Sequence, residues 1–247
     1  MPDRLPTHRL HEFTTLTPGE VEQIRALGEP PVRLPRHGIV RREGEPAHAL
    51  WLLIDGWVAS SMLLPDGERQ IVKLHLPGDM LGTASLSLTH AADTLTALTA
   101  ITISRVPAAA FGQLFMANPR FAACMFLSAQ RERVSLMDRL AVIGRTSAVQ
   151  RLAALLLDLS TRLASAGSTA AETFEMPVTQ EQIGDYLGLT GVHVNRMIRQ
   201  LESEGVIVRT RQRITIAQPD KLRRIAAAHD REPMRDPEWL ASVQPGV

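Results

Sequence analysis

The stretch that decides the fold runs from Thr179 to Gly205 and reads TQEQIGDYLGLTGVHVNRMIRQLESEG. It predicts two helices joined by a short turn. Thr179, followed three residues later by Gln182, forms a capping box, which satisfies free backbone N–H groups at the start of a helix. Gly188 follows this first helix, where a tight turn needs a residue that tolerates a positive φ angle. The stretch therefore predicts a helix-turn-helix.

The second predicted helix has an apolar side and a polar side. Thr190 caps its start, and its buried stripe consists of Val194, Met197 or Ile198, and Leu201. Gly184 lies one turn before Gly188, where a side chain would prevent the two helices from crossing closely. The opposite side carries groups suited to base edges and phosphates: Val192, His193, Asn195, Arg196 and Arg199. The alternative interpretation is an ordinary helical hairpin at the surface.

The composition sets the class of protein. A chain of 247 residues with 45% hydrophobic residues suits about two domains with real cores. No run approaches the length of a membrane span, and the N-terminus has no apolar signal region, so we predict a cytoplasmic protein. The single cysteine, Cys124, allows no internal disulfide and no clustered thiolate metal site.

Charge is unevenly distributed along the chain. The formal net charge is only +1. Between residues 196 and 213, however, two glutamates oppose five arginines: Arg196, Arg199, Arg209, Arg211 and Arg213. A local basic excess of this kind is typical of a module that binds nucleic acid.

From about Pro31 to Val106 the pattern is that of β-structure. Short apolar runs (ALWLLI, WVASSMLL, QIVKLHL, LTALTAITISRV) alternate with turns rich in glycine and proline. LPDGE at 64–68 is a good hairpin turn. Many short strands at regular spacing predict a small β-sandwich or barrel.

Helices flank this β-region. Thr17 and Glu20, with Pro18 between them, predict a short helix that ends near Leu27. Another helix opens at Pro107, and the longest one covers about 120–143. Leu127, Val134 and Ala141 recur every seven residues in the long helix, with Met137 and Leu140 beside them. This spacing predicts a dimer seam formed by Leu127, Val134, Met137 and Ala141. The alternative is that this helix packs only on its own domain. Residues 144–146 are predicted to form a hinge, and the next helix runs from 146 or 147 to about Leu163.

The segment after Gly205 completes the C-terminal module. VIVRTRQRITIA reads as two strands on either side of Arg211 and Gln212. A β-hairpin directly after a recognition helix predicts the wing of a winged helix, with its arginines beside the DNA backbone. Residues 229–247 are polar with three prolines, and we expect a flexible tail.

This order of elements resembles the Crp/Fnr family of bacterial transcription regulators over roughly residues 15–220. The resemblance rests on Asp55-Gly56-Trp57-Val58, on Pro77-Gly78-Asp79 and above all on the spacing of residues 178–205. It implies an α+β fold with an N-terminal double-stranded β-helix (jelly-roll), a long dimerisation helix and a C-terminal winged helix-turn-helix. The expected domains are 1–118 for the cyclic-nucleotide-binding-like effector domain, 119–145 for the dimerisation helix and hinge, and 146–228 for the DNA-binding domain.

The resemblance implies a dimeric, non-enzymatic regulator that binds two-fold symmetric DNA, together with RNA polymerase and an unidentified small-molecule effector as partners. The predicted DNA-binding residues are Thr179, Gln180, Thr190, Val192, His193, Asn195, Arg196, Arg199, Arg209, Arg211 and Arg213. Gly191 and Val192 depart from the family, since relatives place arginine and glutamate there. The DNA site should therefore differ from the best-known consensus sites.

The effector region departs from the cyclic-nucleotide-binding members. The predicted effector pocket comprises Gly82, Thr83, Ala84, Ser85 and Thr94. Thr83 stands where those members have glutamate, and residues 82–96 lack their phosphate-binding arginine. Cyclic AMP is therefore not expected to bind in its usual pose, since a buried phosphate would lose a charge-assisted contact worth about 1.5–3 kcal/mol.

Other cofactors and functions remain as alternatives. An iron–sulfur cluster is not expected, because the N-terminal region has no cysteines. Haem stays open, with His48, His75 or His90 as an axial ligand. A β-roll that regulates a protein partner would show no salt-dependent DNA binding. A cupin-type metal enzyme is disfavoured because the chain contains no His-x-His pair.

Overall fold

The computed structural model describes residues 9, 12–143, 146–165, 172–227 and 234–241. They form two compact units. The first comprises the described parts of 1–60, 74–135 and 232–247. The second comprises the described parts of 61–73 and 136–231.

A β-roll of eight strands dominates the N-terminal half. The strands are β1 (Val32–Leu34), β2 (Ile39–Arg41), β3 (Ala49–Asp55), β4 (Val58–Leu63), β5 (Arg69–His75), β6 (Met80–Leu81), β7 (Thr94–Ala97) and β8 (Ile101–Pro107). They form two four-stranded sheets, of order β1-β8-β3-β6 and β2-β7-β4-β5. The β1–β8, β3–β8, β3–β6 and β2–β7 pairs are antiparallel. The predicted jelly-roll is confirmed.

Apolar side chains fill the inside of the roll. Every second side chain of a strand points to the same face, and in β7 Leu95 and Ala97 are the buried ones. Strands of both sheets contribute to one core cluster: Leu53, Val58, Leu81, Leu95, Ala97, Ile101 and Ile103. Burial of these residues supplies the main driving force for closing the roll.

Helices pack a second core against the roll. They are α1 (Pro18–Ala26), α2 (Ala108–Ala117) and α3 (Pro119–Ile143). A separate 3₁₀ helix (Thr83–Ser87) follows β6. The predicted capping box at the start of α1 is present, because Thr17 and Glu20 bond reciprocally to each other's backbone N–H. The second core contains Phe13, Leu16, Ile24, Leu27, Leu50, Val106, Phe111, Phe121 and Cys124.

The second unit holds the C-terminal module. Its elements are α4 (Ala148–Ser165), β9 (Thr173–Glu175), α5 (Gln180–Leu187), α6 (Gly191–Ser203), β10 (Ile207–Thr210), β11 (Arg213–Ile216) and α7 (Pro219–Ala226). The three strands form a sheet of order β10-β11-β9. One side of α4 is buried through Leu152, Ala153, Leu155, Leu156 and Leu159.

Three features differ from the sequence-based expectations. Strand β9 and helix α7 were not predicted. The flexible tail expected at 229–247 does not hold for residues 234–241, which contain the short helix α8 (Glu238–Ala241) with Leu240 only 1% exposed. The backbone N–H of Asp236 also donates to the carbonyl of Phe13 at 2.8 Å. Burial of Leu240 gives the segment an apolar anchor that its polar composition concealed.

The compact units also cut the chain at other places than the predicted domains. The division falls inside α3, between residues 135 and 136, and residues 61–73 are grouped with the C-terminal module. Two residues of the predicted hinge, Gly144 and Arg145, lie outside the described residues.

Candidate DNA-binding site and the interior of the β-roll

The helix-turn-helix begins with α5 and a turn built on two glycines. The capping box of Thr179 and Gln182 is formed in both directions. Gly188 ends α5 with a φ angle of 66°, the left-handed conformation that glycine adopts without strain. A Cβ on Gly184 would lie 2.3 Å from the carbonyl oxygen of Leu189. Both glycines therefore have the structural roles that the sequence predicted.

The second helix of the motif, α6, is fixed by its apolar side. Thr190 caps α6 by accepting a hydrogen bond from the backbone N–H of His193. The predicted apolar stripe of α6 is buried, and Met197 and Ile198, which the sequence left as alternatives, are both part of it. Its members are Val194, Met197, Ile198 and Leu201. The opposite side of α6 is therefore free to present its side chains outward.

The exposed side of α6 carries four of the eleven predicted DNA-binding residues. Val192 is 81% exposed, and His193, Arg196 and Arg199 are also exposed. An apolar side chain this exposed is suited to an apolar partner outside the protein, such as the methyl group of a thymine in a major groove.

Two hydrogen bonds orient polar groups of this surface. Gln180 Nε2 donates to Asn195 Oδ1 at 3.2 Å, which links the start of α5 to α6. Asn195 is half-buried, and its amide nitrogen remains available to donate to a base or a phosphate. Thr190 Oγ1 lies 3.0 Å from His193 Nδ1, which directs Nε2 of the imidazole outward.

The three arginines of the wing differ in their surroundings. Arg211 is exposed at the turn between β10 and β11, and its φ angle is 56°. Arg213 is exposed beside Glu175, at an N–O distance of 3.6 Å. Arg209 lies 3.7 Å from Glu202. Arg211 is therefore the wing arginine best placed to meet a phosphate.

The interior of the β-roll contains a buried ion pair that the sequence did not reveal. Arg41, at the end of β2, is 3% exposed, and its Nη2 donates to Asp93 Oδ1 at 2.5 Å. The second carboxylate oxygen of Asp93 accepts from Ser60 Oγ at 2.6 Å. Arg41 Nε and Nη1 have no hydrogen-bond partner among the described residues. The guanidinium also lies 5.6 Å from the centre of the Trp51 ring.

Two of the five predicted effector residues, Gly82 and Ser85, lie beside this ion pair. Ser85 is fully buried and accepts hydrogen bonds from Arg41 Nη2 at 3.1 Å and from the backbone N–H of Ala92 at 3.2 Å. A Cβ on Gly82 would lie 3.0 Å from Arg41 Nη1. Thr83 and Ala84 belong to the 3₁₀ helix. Thr94 instead uses its hydroxyl to accept from the backbone N–H of Glu43.

The sequence-based expectation was that residues 82–96 have no arginine near them, and it missed Arg41. No arginine occurs between residues 69 and 105, but Arg41 arrives from a distant part of the chain. Its charge is already matched by Asp93, which belongs to the very stretch, 82–96, where the family's phosphate contact is expected. A buried pair of this kind leaves no net positive charge for a ligand anion.

The three histidines considered as haem ligands lie in different surroundings. His48 and His90 are exposed, and His90 Nδ1 lies 2.9 Å from Thr89 Oγ1. His75 is buried, with its Nε2 at 2.8 Å from Ser60 Oγ. Within the described part of the chain, no three histidine, cysteine or acidic side chains are grouped so that they could hold a metal ion.

Burial decides the state of the single thiol. Cys124 on α3 belongs to the second core, and this burial raises its pKa to about 11, against the opposing effect of the Arg120 guanidinium. A thiol with so high a pKa stays protonated near neutral pH, and the thiolate is the reactive form. Cys124 is therefore a packing residue.

Helix α3 exposes part of the predicted apolar stripe and further apolar side chains beside it. Leu127 packs against the second core and is half-buried, as is Val134. Met137 is 56% exposed, and Ala141 is exposed too. Large apolar side chains one position away project outward: Phe126 is 55%, Leu136 is 49% and Leu140 is 71% exposed. Together with Met137 these three form the exposed apolar side of α3. The dimer seam itself stays a prediction.

Comparisons with known proteins agree with this architecture. Residues 31–118 match the cyclic nucleotide-binding domain family, and residues 150–225 match the Crp-like helix-turn-helix domain family. The chain is 32% identical to the nitrogen fixation regulation protein FixK of Bradyrhizobium diazoefficiens, over 87% of this chain and 89% of that protein. It is 31% identical to the transcriptional activatory protein AadR of Rhodopseudomonas palustris, over 86% and 87% of the two chains.

A solved structure shows the same fold. The structure of FixK2 from Bradyrhizobium japonicum superposes with a TM-score of 0.73 at 26% identity, covering 81% of this chain and 98% of that one. No helix in the described part of the chain is long and apolar enough to cross a membrane. The similarity is to regulators, and the prediction that the chain is not an enzyme is confirmed. The chain belongs to the Crp/Fnr family of transcription regulators, with a DNA-binding helix-turn-helix at its C-terminal end.

Proposed function

We propose that the protein acts as a homodimer that binds a two-fold symmetric DNA sequence and responds to a small-molecule effector other than cyclic AMP. The observation that carries the DNA-binding part is the exposed side of α6. Val192, Arg196 and Arg199 project from a helix whose other side is buried. The exposed Arg211 of the wing adds a cation beside this surface. Together they offer base contacts and phosphate contacts, the two kinds that specific DNA binding requires.

The experiment that tests DNA binding starts from a pool of random duplexes. Sequences retained by the protein should contain two inverted half-sites, and the logarithm of the binding constant should fall linearly with that of the salt concentration. A retained pool without inverted repeats would contradict the dimeric mode of binding. Absence of salt-dependent binding would favour the alternative function, in which the roll regulates a protein partner.

Dimerisation is expected through the exposed stripe of α3. Phe126, Leu136 and Leu140 would be costly to leave in water, and two copies of the stripe can bury each other as in a coiled coil. Leu140→Asp places a charge in that seam. We expect the variant to sediment as a monomer at micromolar concentration and to lose at least about tenfold in affinity for the symmetric site, because the two half-sites are no longer bound by one linked particle.

A matched control keeps this test specific. Ser135 is exposed on the same helix, and because it lies five residues before Leu140 it points to another side of α3. Ser135→Asp introduces the same charge outside the stripe and should leave the dimer intact. An unmodified protein that is monomeric at micromolar concentration would contradict the proposed seam.

Cyclic AMP is not expected to be the effector, and the Arg41–Asp93 pair is the reason. A cyclic phosphate in this region would have to displace the Asp93 carboxylate from Arg41 and leave it buried without its cation, a costly exchange. Titration calorimetry with millimolar cyclic AMP should give no saturable heat. A cyclic-AMP-responsive member of the family provides the positive control, and saturable binding at micromolar concentration would overturn this part of the proposal.

A further inference from the structure

The outer part of the β4–β5 hairpin, residues 61–73, contacts the helix-turn-helix. Its turn is formed by residues 64–68, where the backbone N–H of Leu64 donates to the carbonyl of Glu68. Residues 61–73 of this hairpin and the whole helix-turn-helix belong to one compact unit. Two side chains at the start of β5, Arg69 and Gln70, point at the C-terminal end of α5.

Arg69 binds the side chain of Asp185. Its Nε and Nη2 both donate to Asp185 Oδ2, at 2.9 and 2.5 Å. Asp185 is the sixth of the eight residues of α5. A cation near the C-terminal end of a helix also interacts favourably with the helix dipole. The pair is partly exposed, so it contributes little to stability. It does fix the position of β5 relative to α5.

Gln70 binds the backbone of the same helix. Its Nε2 donates to the carbonyl of Asp185, and the carbonyl of Tyr186 lies at 3.4 Å from the same nitrogen. The last carbonyls of a helix have no partner within the helix. Gln70 supplies such a partner. The hairpin is therefore bonded to the backbone of α5 as well as to the Asp185 side chain.

Arg139 makes a third connection. Its Nη1 donates to the carbonyl of Val72 on β5 at 2.5 Å, and its guanidinium lies 4.2 Å from the centre of the Tyr186 ring. The contact with the ring is a cation–π interaction. One side chain of α3 thus touches both the hairpin and α5.

These contacts leave the DNA-binding surface open. They hold the C-terminal end of α5, whereas Thr179 and Gln180 lie at its N-terminal end, about 10 Å away along the helix. Val192 and Arg196 on α6 stay exposed while the contacts are made. Holding α5 is therefore compatible with DNA binding.

We propose that Arg69, Gln70 and Arg139 form a clamp that holds α5 and so sets the orientation of the recognition helix α6. They are positioning residues for DNA recognition. The inference rests on the proposed DNA-binding function. A dimer must present two recognition helices at a fixed separation, about one helical turn of DNA or a multiple of it. A loosened α5 would leave each module able to bind a half-site but would lower the effective concentration of the second module at its own half-site.

The hairpin gives the clamp a covalent connection to the interior of the roll. Its two strands continue into Ser60 on β4 and His75 on β5, whose side chains are hydrogen-bonded at 2.8 Å. Ser60 in turn donates to Asp93.

The test uses the full-length protein, its selected symmetric site, an isolated half-site and symmetric sites with one or two base pairs added at the centre. Arg69→Ala combined with Gln70→Ala should bind the isolated half-site within about twofold of the unmodified protein. Affinity for the symmetric site should fall about tenfold, and the preference for the native spacing over the lengthened sites should fall by about the same factor. A merely structural role would not change the spacing preference at constant half-site affinity.

Two further variants make the result decisive. Arg33→Ala removes an exposed arginine from β1 and should leave the spacing preference unchanged. Arg69→Asp should lose the preference, and Arg69→Asp combined with Asp185→Arg should restore most of it. An unchanged spacing preference in the Arg69–Gln70 double variant would overturn the clamp, and so would a gain in affinity for the symmetric site, which would make the contact inhibitory. Failure of the unmodified protein to bind DNA would instead refute the proposed function.

Discussion

Asp93→Ala is expected to destabilise the protein by about 3–5 kcal/mol, because it leaves the Arg41 charge buried without a partner. Arg41 is 3% exposed, and two of its nitrogens already lack hydrogen-bond partners among the described residues. The variant also removes the acceptor of the Ser60 hydroxyl. Urea unfolding followed by tryptophan fluorescence measures the loss, since Trp51 lies beside the Arg41 guanidinium.

Replacing both partners provides the matched control. Arg41→Met combined with Asp93→Leu removes both charges and keeps the site filled, so its stability should lie close to that of the unmodified protein or above it. Glu45→Ala, at an exposed carboxylate of the same unit, should change stability by no more than about 0.5 kcal/mol. A loss below about 1 kcal/mol for Asp93→Ala would mean that Arg41 reaches water or another anion in solution.

The helix-turn-helix could be predicted from the sequence because its determinants are local. The capping box of Thr179 and Gln182, the left-handed Gly188 and the close approach at Gly184 each depend on residues within ten positions of one another. The buried side of α6 follows from helical periodicity alone. Val192, His193, Arg196 and Arg199 are consequently exposed on the side of α6 that the sequence indicated.

The ion pair of the roll could not be found in this way. Arg41 and Asp93 are 52 positions apart, and they meet because β2 pairs with β7, with Arg41 opposite Leu95. A search for basic residues between 69 and 105 cannot detect a cation that another strand supplies. Pairing register across the sheet decides which side chains share the interior, and periodicity within one strand does not specify it.

The seam of α3 shows a second limit of sequence patterns. Two adjacent apolar stripes run along this helix, and heptad spacing alone does not say which of them faces the protein's own core. Leu127 packs on that core, which leaves Phe126 and Leu140 outward. The packing of Leu127 against the core that α1 and α2 share depends on distant parts of the chain, so the pattern within α3 does not reveal which apolar side chains stay exposed.

The largest effect on DNA recognition is expected from Arg196→Ala. Arg196 is exposed on the same side of α6 as Val192 and Arg199, and its guanidinium can donate two parallel hydrogen bonds to O6 and N7 of a guanine. The loss should be about 1–3 kcal/mol per half-site, confined to sites that keep this base pair. Arg196→Lys keeps the charge but not the fork of donors, so it should lose most of the same discrimination.

Arg211→Ala is the matched variant that distinguishes a contact with the DNA backbone from a contact with the bases. Because Arg211 lies at the turn of the wing, its expected partner is a phosphate. Its loss should weaken binding to all sequences alike and lower the salt slope by about one per half-site. A library of sites with single base changes, measured at several salt concentrations, distinguishes the two effects. If Arg196→Ala also weakens every sequence equally, Arg196 holds the backbone, and the reading of bases passes to His193 and to Asn195, which Gln180 orients.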